Sequence, residues 1–419
     1  MPGRIVLYGA TGYTGALTAQ AMVASGARPV LAGRDQNRLS ALAARLSHAG
    51  DGTELETAVA AAADGPGPLR DLIGAGDVLV STAGPFMKVG RPVVAAAVDA
   101  GAVYLDSTGE PPFIRQVFEE FGPRAERTGA VLLTAFGYDY VPGNLAGALA
   151  LQAAGPAAAR VRIGYFVRGD MRRATSAGTR ASVTGVLLEP GYAFRGGRIV
   201  SERTAAHVTS FMVDGKKREA LSIGSSEHFA LPRLGPAARA DGVPAQVPLT
   251  DVDVYLGWSG RASRLVHYGS VLATPVSSLP GVRWTLDAAA RRIQRSRAVP
   301  GPAVAIRSDV VAVAGDPNGR DLAVVHLTGG DPYSFTASIL AWAAGQAAAD
   351  GVRPAGALGP VEAFGTDILE RACADAGFRR EHADQILGPT GPTAPSCAEV
   401  DHLRAATPGA GPPVKRPES

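Results

Sequence analysis

An α/β fold with a parallel sheet, followed by a second α+β domain built on a mixed sheet, is predicted on three observations. Arg4-Ile5-Val6-Leu7-Tyr8 is a short apolar run ending in the glycine turn Gly9-Ala10-Thr11-Gly12-Tyr13-Thr14-Gly15, and Thr14 to Met22 then reads as a helix. That is the strand, phosphate-loop, helix order of a Rossmann-type sheet. Apolar runs of strand length alternate with helical stretches up to about residue 143. From Asn144 onward, alternating strand patterns and a hairpin signal take over.

The chain has 419 residues, of which 46% are hydrophobic, enough for two or three domains with proper cores. No run approaches the roughly 18 consecutive apolar residues of a membrane span. The N-terminus enters a strand without a charged-then-apolar leader, so a cytoplasmic location is expected. A net charge of +3 excludes a general nucleic-acid binder. Cys373 and Cys397 are too few for a disulfide framework or a zinc site, and the 7 histidines are scattered, so no metal is expected.

In the first turn, Gly9 permits a sharp exit from the strand, Gly12 lets bare backbone approach a pyrophosphate, and Gly15 lets the helix pack on the sheet. The anion sits on unpaired helix N–H groups. The second strand, Arg28 to Ala32, ends on Gly33-Arg34, where a fold of NAD type carries an acid for the ribose hydroxyl; Arg34, with Arg38 one turn on, suits a 2′-phosphate instead. The plainer alternative is a pair of solvated helix-start charges with Asp35 as partner. On this geometry the cofactor is expected to be NADP(H).

A helix is read over Gln36 to Ala49, a third strand over Glu54 to Val59 and a short helix around Leu69 to Ile73. Asp77 to Thr82 is a buried strand that closes on Ala83-Gly84-Pro85-Phe86, a turn placed either to carry cofactor or merely to end the strand. Arg91 to Ala100 is helical and Ala102 to Leu105 is the fifth strand, ending on Asp106-Ser107-Thr108-Gly109-Glu110. A helix from Pro111 to Thr128 leads to a sixth strand, Ala130 to Thr134, which delivers Gly137-Tyr138-Asp139-Tyr140-Val141-Pro142. Three strand ends thus converge with the phosphate loop.

These stretches together resemble the saccharopine dehydrogenase-like oxidoreductases, most closely their trans-acting enoyl reductase branch. Ser176 to Ser182 and Gly329-Gly330-Asp331-Pro332-Tyr333 are similar to later parts of that branch. The chain departs from it at Tyr138-Asp139-Tyr140 and Gly143-Asn144, next to the expected substrate. The resemblance implies NADPH-dependent reduction of an activated double bond. This is C=C in an enoyl, polyketide- or lipid-type acyl substrate, free or on an acyl carrier protein, or else C=N, as in the saccharopine branch. It also implies that the C-terminal part packs back on the nucleotide domain.

Past Asn144 a helix to Gln152 precedes a strand over Ala159 to Val167 and a helix over Gly178 to Leu188. Strands follow near Arg198 to Thr204, His207 to Val213 and Asp251 to Trp258, then two helices between Ala262 and Arg297. Ala303 to Ala314 and Leu322 to Leu327 flank the hairpin turn Asp316-Pro317-Asn318-Gly319, and helices over Ser334 to Ala349 and Glu362 to Ala376 close the fold. The expected domains are 1–143 for NADP, 144–333 for substrate and dimerisation (a homodimer is among the expectations), 334–387 for the returning helices, and a disordered tail over 388–419. Arg283 to Arg297 reads either as a solvated arginine helix or as a docking surface for an acidic carrier or membrane.

The expected cofactor residues are Gly9, Thr11, Gly12, Tyr13, Thr14, Gly15, Gly33, Arg34, Arg38, Ala83, Gly84, Pro85 and Phe86. A reductase also needs a proton donor, and the Tyr-x-x-x-Lys device of short-chain dehydrogenases is absent: none of Lys88, Lys216, Lys217 and Lys415 lies four positions after a tyrosine. The candidates are Tyr138, Tyr140, Asp106, Glu110 and Asp139, with Lys88 placed to polarise a carbonyl. Each acid serves equally well as a helix cap or backbone anchor. A non-catalytic, nucleotide-binding accessory protein is the reading from a different class.

Overall fold

A computed structural model describes residues 2–49, 52–169, 190–234, 247–257, 306–381 and 385–386. The sequence-predicted helices over 178–188 and 262–297, Ser176 to Ser182, the arginine stretch 283–297, Arg172, Arg173, Arg180, Cys397 and the tail 388–419 lie outside these residues.

The first half alternates strand and helix: β1 (Ile5–Tyr8), α1 (Tyr13–Ala24), β2 (Val30–Gly33), α2 (Gln36–Ala49), β3 (Thr57–Val59), α3 (Gly67–Arg70), β4 (Val78–Ser81), α4 (Phe86–Ala100), β5 (Val103–Asp106), α5 (Pro111–Gln116), α6 (Gly122–Thr128), β6 (Val131–Leu133) and α7 (Val141–Ala154). The strands are almost wholly apolar and both faces are covered, as a parallel sheet demands. Two helices differ from the sequence reading. α4 begins at Phe86 and keeps Pro92 inside it. Between α5 and α6 lies one π turn, Val117–Phe121, just before Pro123. Proline has no N–H to return to the carbonyl four residues back, and a wider turn relieves the misfit.

The second half runs through β7 (Arg160–Arg168), β8 (Pro190–Arg195), β9 (Arg198–Arg203), β10 (Val208–Val213), β11 (Lys216–Ser222), α8 (Glu227–Ala230), β12 (Asp251–Leu256), β13 (Arg307–Gly315), β14 (Asp321–Gly329), α9 (Pro332–Asp350), β15 (Gly356–Ala357), α10 (Pro360–Phe364), α11 (Thr366–Asp375), β16 (Phe378–Arg380) and β17 (Gln385–Ile386). The predicted closing helix is two, because Gly365 at φ +76° interrupts it. Strands β8, β11, β15, β16 and β17 were not foreseen.

The first sheet is seven-stranded in the order β15-β6-β5-β4-β1-β2-β3, and all of its pairs are parallel. The second has ten strands, with a main path β10-β11-β12-β7-β13-β14-β16; β12 pairs with β7 parallel and its other pairs are antiparallel. Helix α7 leaves the first sheet and packs on β7, β13 and β14 of the second. Helix α9 returns to the first sheet and lies along α1, where the Gly3 N–H donates to the Ala348 carbonyl at 2.7 Å.

Close contact between α1 and the strands beneath depends on the lack of a side chain at Gly15. A Cβ there would stand 2.8 Å from Thr82 Oγ1 and 2.9 Å from Ala10 Cα. Gly15→Ala is expected to lower unfolding free energy by about 1–3 kcal/mol, as overpacking of a core does, read from urea denaturation. Gly67→Ala, where a Cβ meets nothing within 4 Å, serves as the control and should be nearly neutral.

Candidate active site

The phosphate loop is shaped as its glycines require. Gly9 sits at φ +81°, and a Cβ on it would stand 2.8 Å from the Ala83 N atom. Thr82 Oγ1 donates to the carbonyls of Tyr8 or Gly9, 3.2 and 3.3 Å away, so the ends of β1 and β4 are held together. Gly12 is exposed and caps α1 without any side-chain hydrogen bond, which leaves the first-turn N–H groups to an outside acceptor. This side-chain-free cradle fits the pyrophosphate of a dinucleotide. Tyr13 is exposed beside Gly12, with its ring edge-on to Tyr333 at 5.1 Å, and Thr14 is half-buried, its carbonyl taking the Thr18 hydroxyl at 2.9 Å.

At the end of β2, next to buried Gly33, the two arginines separate. Arg34 is exposed and makes no hydrogen bond or ion pair with any described residue. Arg38 donates from Nη2 to the Thr11 carbonyl at 2.8 Å and so braces the phosphate loop. Asp35 pairs with neither guanidinium; its carboxylate accepts the Arg38 backbone N–H at 3.1 Å and caps α2. Ala83 and Pro85 are half-buried, Gly84 is exposed, and Phe86 packs on Phe113 at 5.6 Å. Lys88 points from the first turn of α4 to solvent.

The three acids that look alike in sequence differ in space. Asp106 Oδ1 accepts the N–H groups of Thr108 and Ala135, both at 2.9 Å, and Oδ2 accepts the Thr134 hydroxyl at 2.7 Å. Burial pushes this carboxyl up to about 6, and the donors pull against it. Glu110 reaches across to α4 and accepts from the Phe86 and Met87 N–H groups at 2.9 and 3.0 Å. Both acids anchor backbone. Asp139 does not: Oδ1 is buried with no hydrogen-bond partner among the described residues, and Oδ2 lies close to Gly109, 3.0 Å from where a Cβ would stand.

Asp139 keeps part of its surface open, and burial of the rest pushes its carboxyl up to about 7. Tyr138 and Tyr140 are buried on either side of it and both pack against Tyr165, each at 5.6 Å. Tyr138 is tied down by its backbone, whose N–H donates to Thr336 Oγ1 on α9 at 3.0 Å.

A second group of residues completes the site from the other sheet. Glu227 is wholly buried; its Oε1 takes the Tyr165 hydroxyl at 2.6 Å, and its Oε2 has no partner among the described residues. Burial raises this carboxyl to about 7, with the Asp139 charge adding to the shift. His228 beside it is pushed down to about 4 by burial and is therefore neutral near pH 7. Tyr192 donates to the Ser225 carbonyl at 3.1 Å, and Asn144 Nδ2 bridges the Tyr140 carbonyl at 2.8 Å and Ser226 Oγ at 3.0 Å. Sequence reasoning missed Glu227, Tyr165, Tyr192 and His228. The one local signal was an acid and a histidine set directly before Phe229-Ala230-Leu231 with no cation close by.

The described residues hold no group of three His, Cys, Asp or Glu that could bind a metal ion, and no helix among them is long and apolar enough to cross a membrane. Residues 5–186 match the family model of the saccharopine dehydrogenase NADP binding domain, in line with the motif resemblance. A trans-acting enoyl reductase of Mycobacterium leprae is 40% identical over 143 residues, 34% of this chain and 34% of that protein. The match thus spans about a third of the length of the curated relatives. Among solved structures, an amine dehydrogenase from Mycobacterium smegmatis aligns over 87% of this chain and 95% of its own at 14% identity and a TM-score of 0.42. A mutant meso-DAPDH from Clostridium tetani does so over 86% and 94% at 12% identity and a TM-score of 0.39.

The buried Glu227 carboxyl makes stability depend on pH. Its folded value, about 7, lies above the ordinary 4.5, so the native state binds more protons than the unfolded chain between those values. Stability therefore falls as pH rises through that window. Glu227→Gln, which cannot ionise, is expected to be close to neutral at pH 4.5 and to stabilise by on the order of 3 kcal/mol at pH 8, read from denaturation midpoints at both values. Asp106→Ala should do the opposite at every pH, destabilising by a few kcal/mol through the donors it strands.

Proposed function

From a chain whose residues 5–186 are a saccharopine dehydrogenase NADP-binding domain, we propose an NADPH-dependent reductase that transfers a hydride to the activated C=C bond of an enoyl, polyketide-type acyl thioester, free or carried by an acyl carrier protein. The observation that carries this reading is the placement, on one carboxyl edge of the parallel sheet, of an uncapped phosphate cradle after β1 and the unanchored carboxyl of Asp139 after β6. When bound, the nicotinamide supplies the hydride.

The chain supplies the rest. Gly9, Gly12 and Gly15 shape the loop for the diphosphate, with Thr11, Tyr13 and Thr14 around it. Arg34 would hold the 2′-phosphate, and Arg38 holds the loop against Thr11. Ala83 to Phe86 would form a wall of the cofactor site. Asp139 holds a proton at neutral pH because its oxygens are drawn out of water without a compensating donor. An enolate forming at the substrate needs that proton at its α-carbon.

Two observations favour C=C over the imine of a multi-carboxylate amino acid. The sequence relatives that match are trans-acting enoyl reductases. Three arginines of the second sheet are already paired with acids of the chain, Arg162 with Asp321 at 2.8 Å, Arg168 with Asp309 at 2.6 Å and Arg195 with Asp253 at 2.5 Å. The imine reading has one observation of its own: two carboxyl groups close to one another would, once ionised, steady an iminium.

Titration of the protein with NADPH and NADH, followed by nicotinamide fluorescence, is expected to show tighter binding of NADPH. Arg34→Asp should weaken NADPH at least about tenfold, the worth of one charge-assisted contact, and leave NADH nearly unchanged. Enoyl thioesters should then support saturable NADPH oxidation where cyclic imines do not. Cofactor binding without oxidation of NADPH by either class would favour the accessory-protein reading.

A further inference from the structure

Where the sheets meet, two carboxyl groups flank Tyr165: its hydroxyl stands 2.6 Å from Glu227 Oε1 and 3.3 Å from the carbonyl of Tyr140, the residue after Asp139. Asp139 belongs to the loop after β6 and Glu227 to the segment that follows β11. Each has one buried oxygen without a hydrogen-bond partner among the described residues, Oδ1 of Asp139 and Oε2 of Glu227. The Asp139 charge adds to the rise of Glu227, and both acids act on Tyr140 and Tyr165. Asp139 lies at the open end beside Gly109, while Glu227 lies inside, next to Gly143, where a Cβ would overlap the Tyr165 hydroxyl and Glu227 Oε1.

The remaining ionisable groups that face the two acids are Tyr138 and Tyr140 on the same loop as Asp139, Tyr165 on β7, Tyr192 on β8 and His228 on α8. All the tyrosines are raised well above their ordinary range by burial, and His228 is neutral, so none offers a positive charge. No lysine or arginine among the described residues acts on either carboxyl. Two acids confined together without a cation cannot both ionise cheaply, and they titrate as a unit.

We propose that Asp139 and Glu227 form one acid couple spanning the two sheets, which stores the proton consumed by the reaction and hands it to the substrate from Asp139, with Tyr165 fixing the Glu227 carboxyl. The proposal rests on the reductase reading above. In the step, the Asp139 O–H bond breaks as the substrate α-carbon takes the proton, and the electron pair of that bond stays on the carboxylate. The two electrons that reduce the double bond arrive with the cofactor's hydride. Asp139 then regains a proton from Glu227, and solvent at the open end recharges the couple through Asp139. Asp139 is the catalytic residue here; Glu227 and Tyr165 act through it.

The test uses the full chain and NADP⁺, whose positively charged ring should draw a proton off the couple. Binding is followed by protein fluorescence, and proton release by a pH indicator in weak buffer. The expected result is release of up to about one proton per NADP⁺ bound at pH 7, since two carboxyls titrating there hold about one proton between them; Asp139→Asn and Glu227→Gln should each abolish most of it. Infrared titration of the cofactor-free protein gives a second reading. The protonated-carboxyl band should fade near pH 7 in the wild type, and Glu227→Gln should move the Asp139 midpoint down by about one unit or more. NADP⁺ binding without proton release, or an Asp139 midpoint indifferent to Glu227→Gln, overturns the couple. Failure of NADP⁺ to bind at all brings down the reductase reading instead, and the infrared arm then judges the couple alone. If either variant fails to fold, the wild-type release and its infrared midpoint still decide: a carboxyl band that fades near pH 4 refutes the proposal.

Discussion

Backbone N–H groups accepted by buried carboxylates fix the loops of this site, and its geometry depends on them. Asp106 draws together its own loop and the loop after β6 through Thr108, Ala135 and Thr134. Glu110 ties the loop after β5 to the start of α4. Hydrogen bonds to a charged acceptor are roughly twice as strong as neutral ones, and leaving such donors unmet would cost about 1–3 kcal/mol each. Three strand ends are thereby held as one surface before any ligand arrives. Asp139 stands between these anchored loops with nothing to anchor, so no donor pulls its carboxyl back toward the ionised form.

Absent side chains then bring the second sheet within reach of that surface. At Gly224 a Cβ would stand 2.9 Å from the Tyr192 ring of β8 and 3.1 Å from Pro111 of α5, and at Gly137 it would stand 2.8 Å from Thr336 Cγ2 on α9, the helix that returns to the first sheet. Gly143 leaves the space that the Tyr165 hydroxyl and Glu227 occupy. These glycines lie at ordinary φ, so conformational freedom is not their purpose; close approach is. Because the approach is close, the groups trapped there are dry, and dryness raises the carboxyls and tyrosines together.

The parallel sheet was legible because strands buried on both faces read as continuous apolar runs, and its first turn because the glycine spacing is a local feature. The second sheet was legible only in part. β11 opens on Lys216-Lys217-Arg218-Glu219, which reads as a charged loop, and β15, with two residues, has no periodicity to detect. Nor does the sequence distinguish Asp106, Glu110 and Asp139, each a strand-end acid. What separates them is which distant N–H groups each one meets, such as those of Ala135 and Phe86. The Tyr165–Glu227 bond, 62 residues apart between elements of different type, leaves no spacing rule to read.

That placement also bears on which double bond the site suits. An acid that keeps its proton can complete an enolate, whereas the same group without it can only steady a cation; the chemistry follows from the protonation state, not from the residue type. Here both carboxyls are pushed toward the acid form and no cation among the described residues pulls them back. His228, next to Glu227 in the chain, is itself held neutral near pH 7 by burial. Among the described residues the seam thus holds its carboxyls toward the acid form, a state that suits giving up a proton better than steadying a cation.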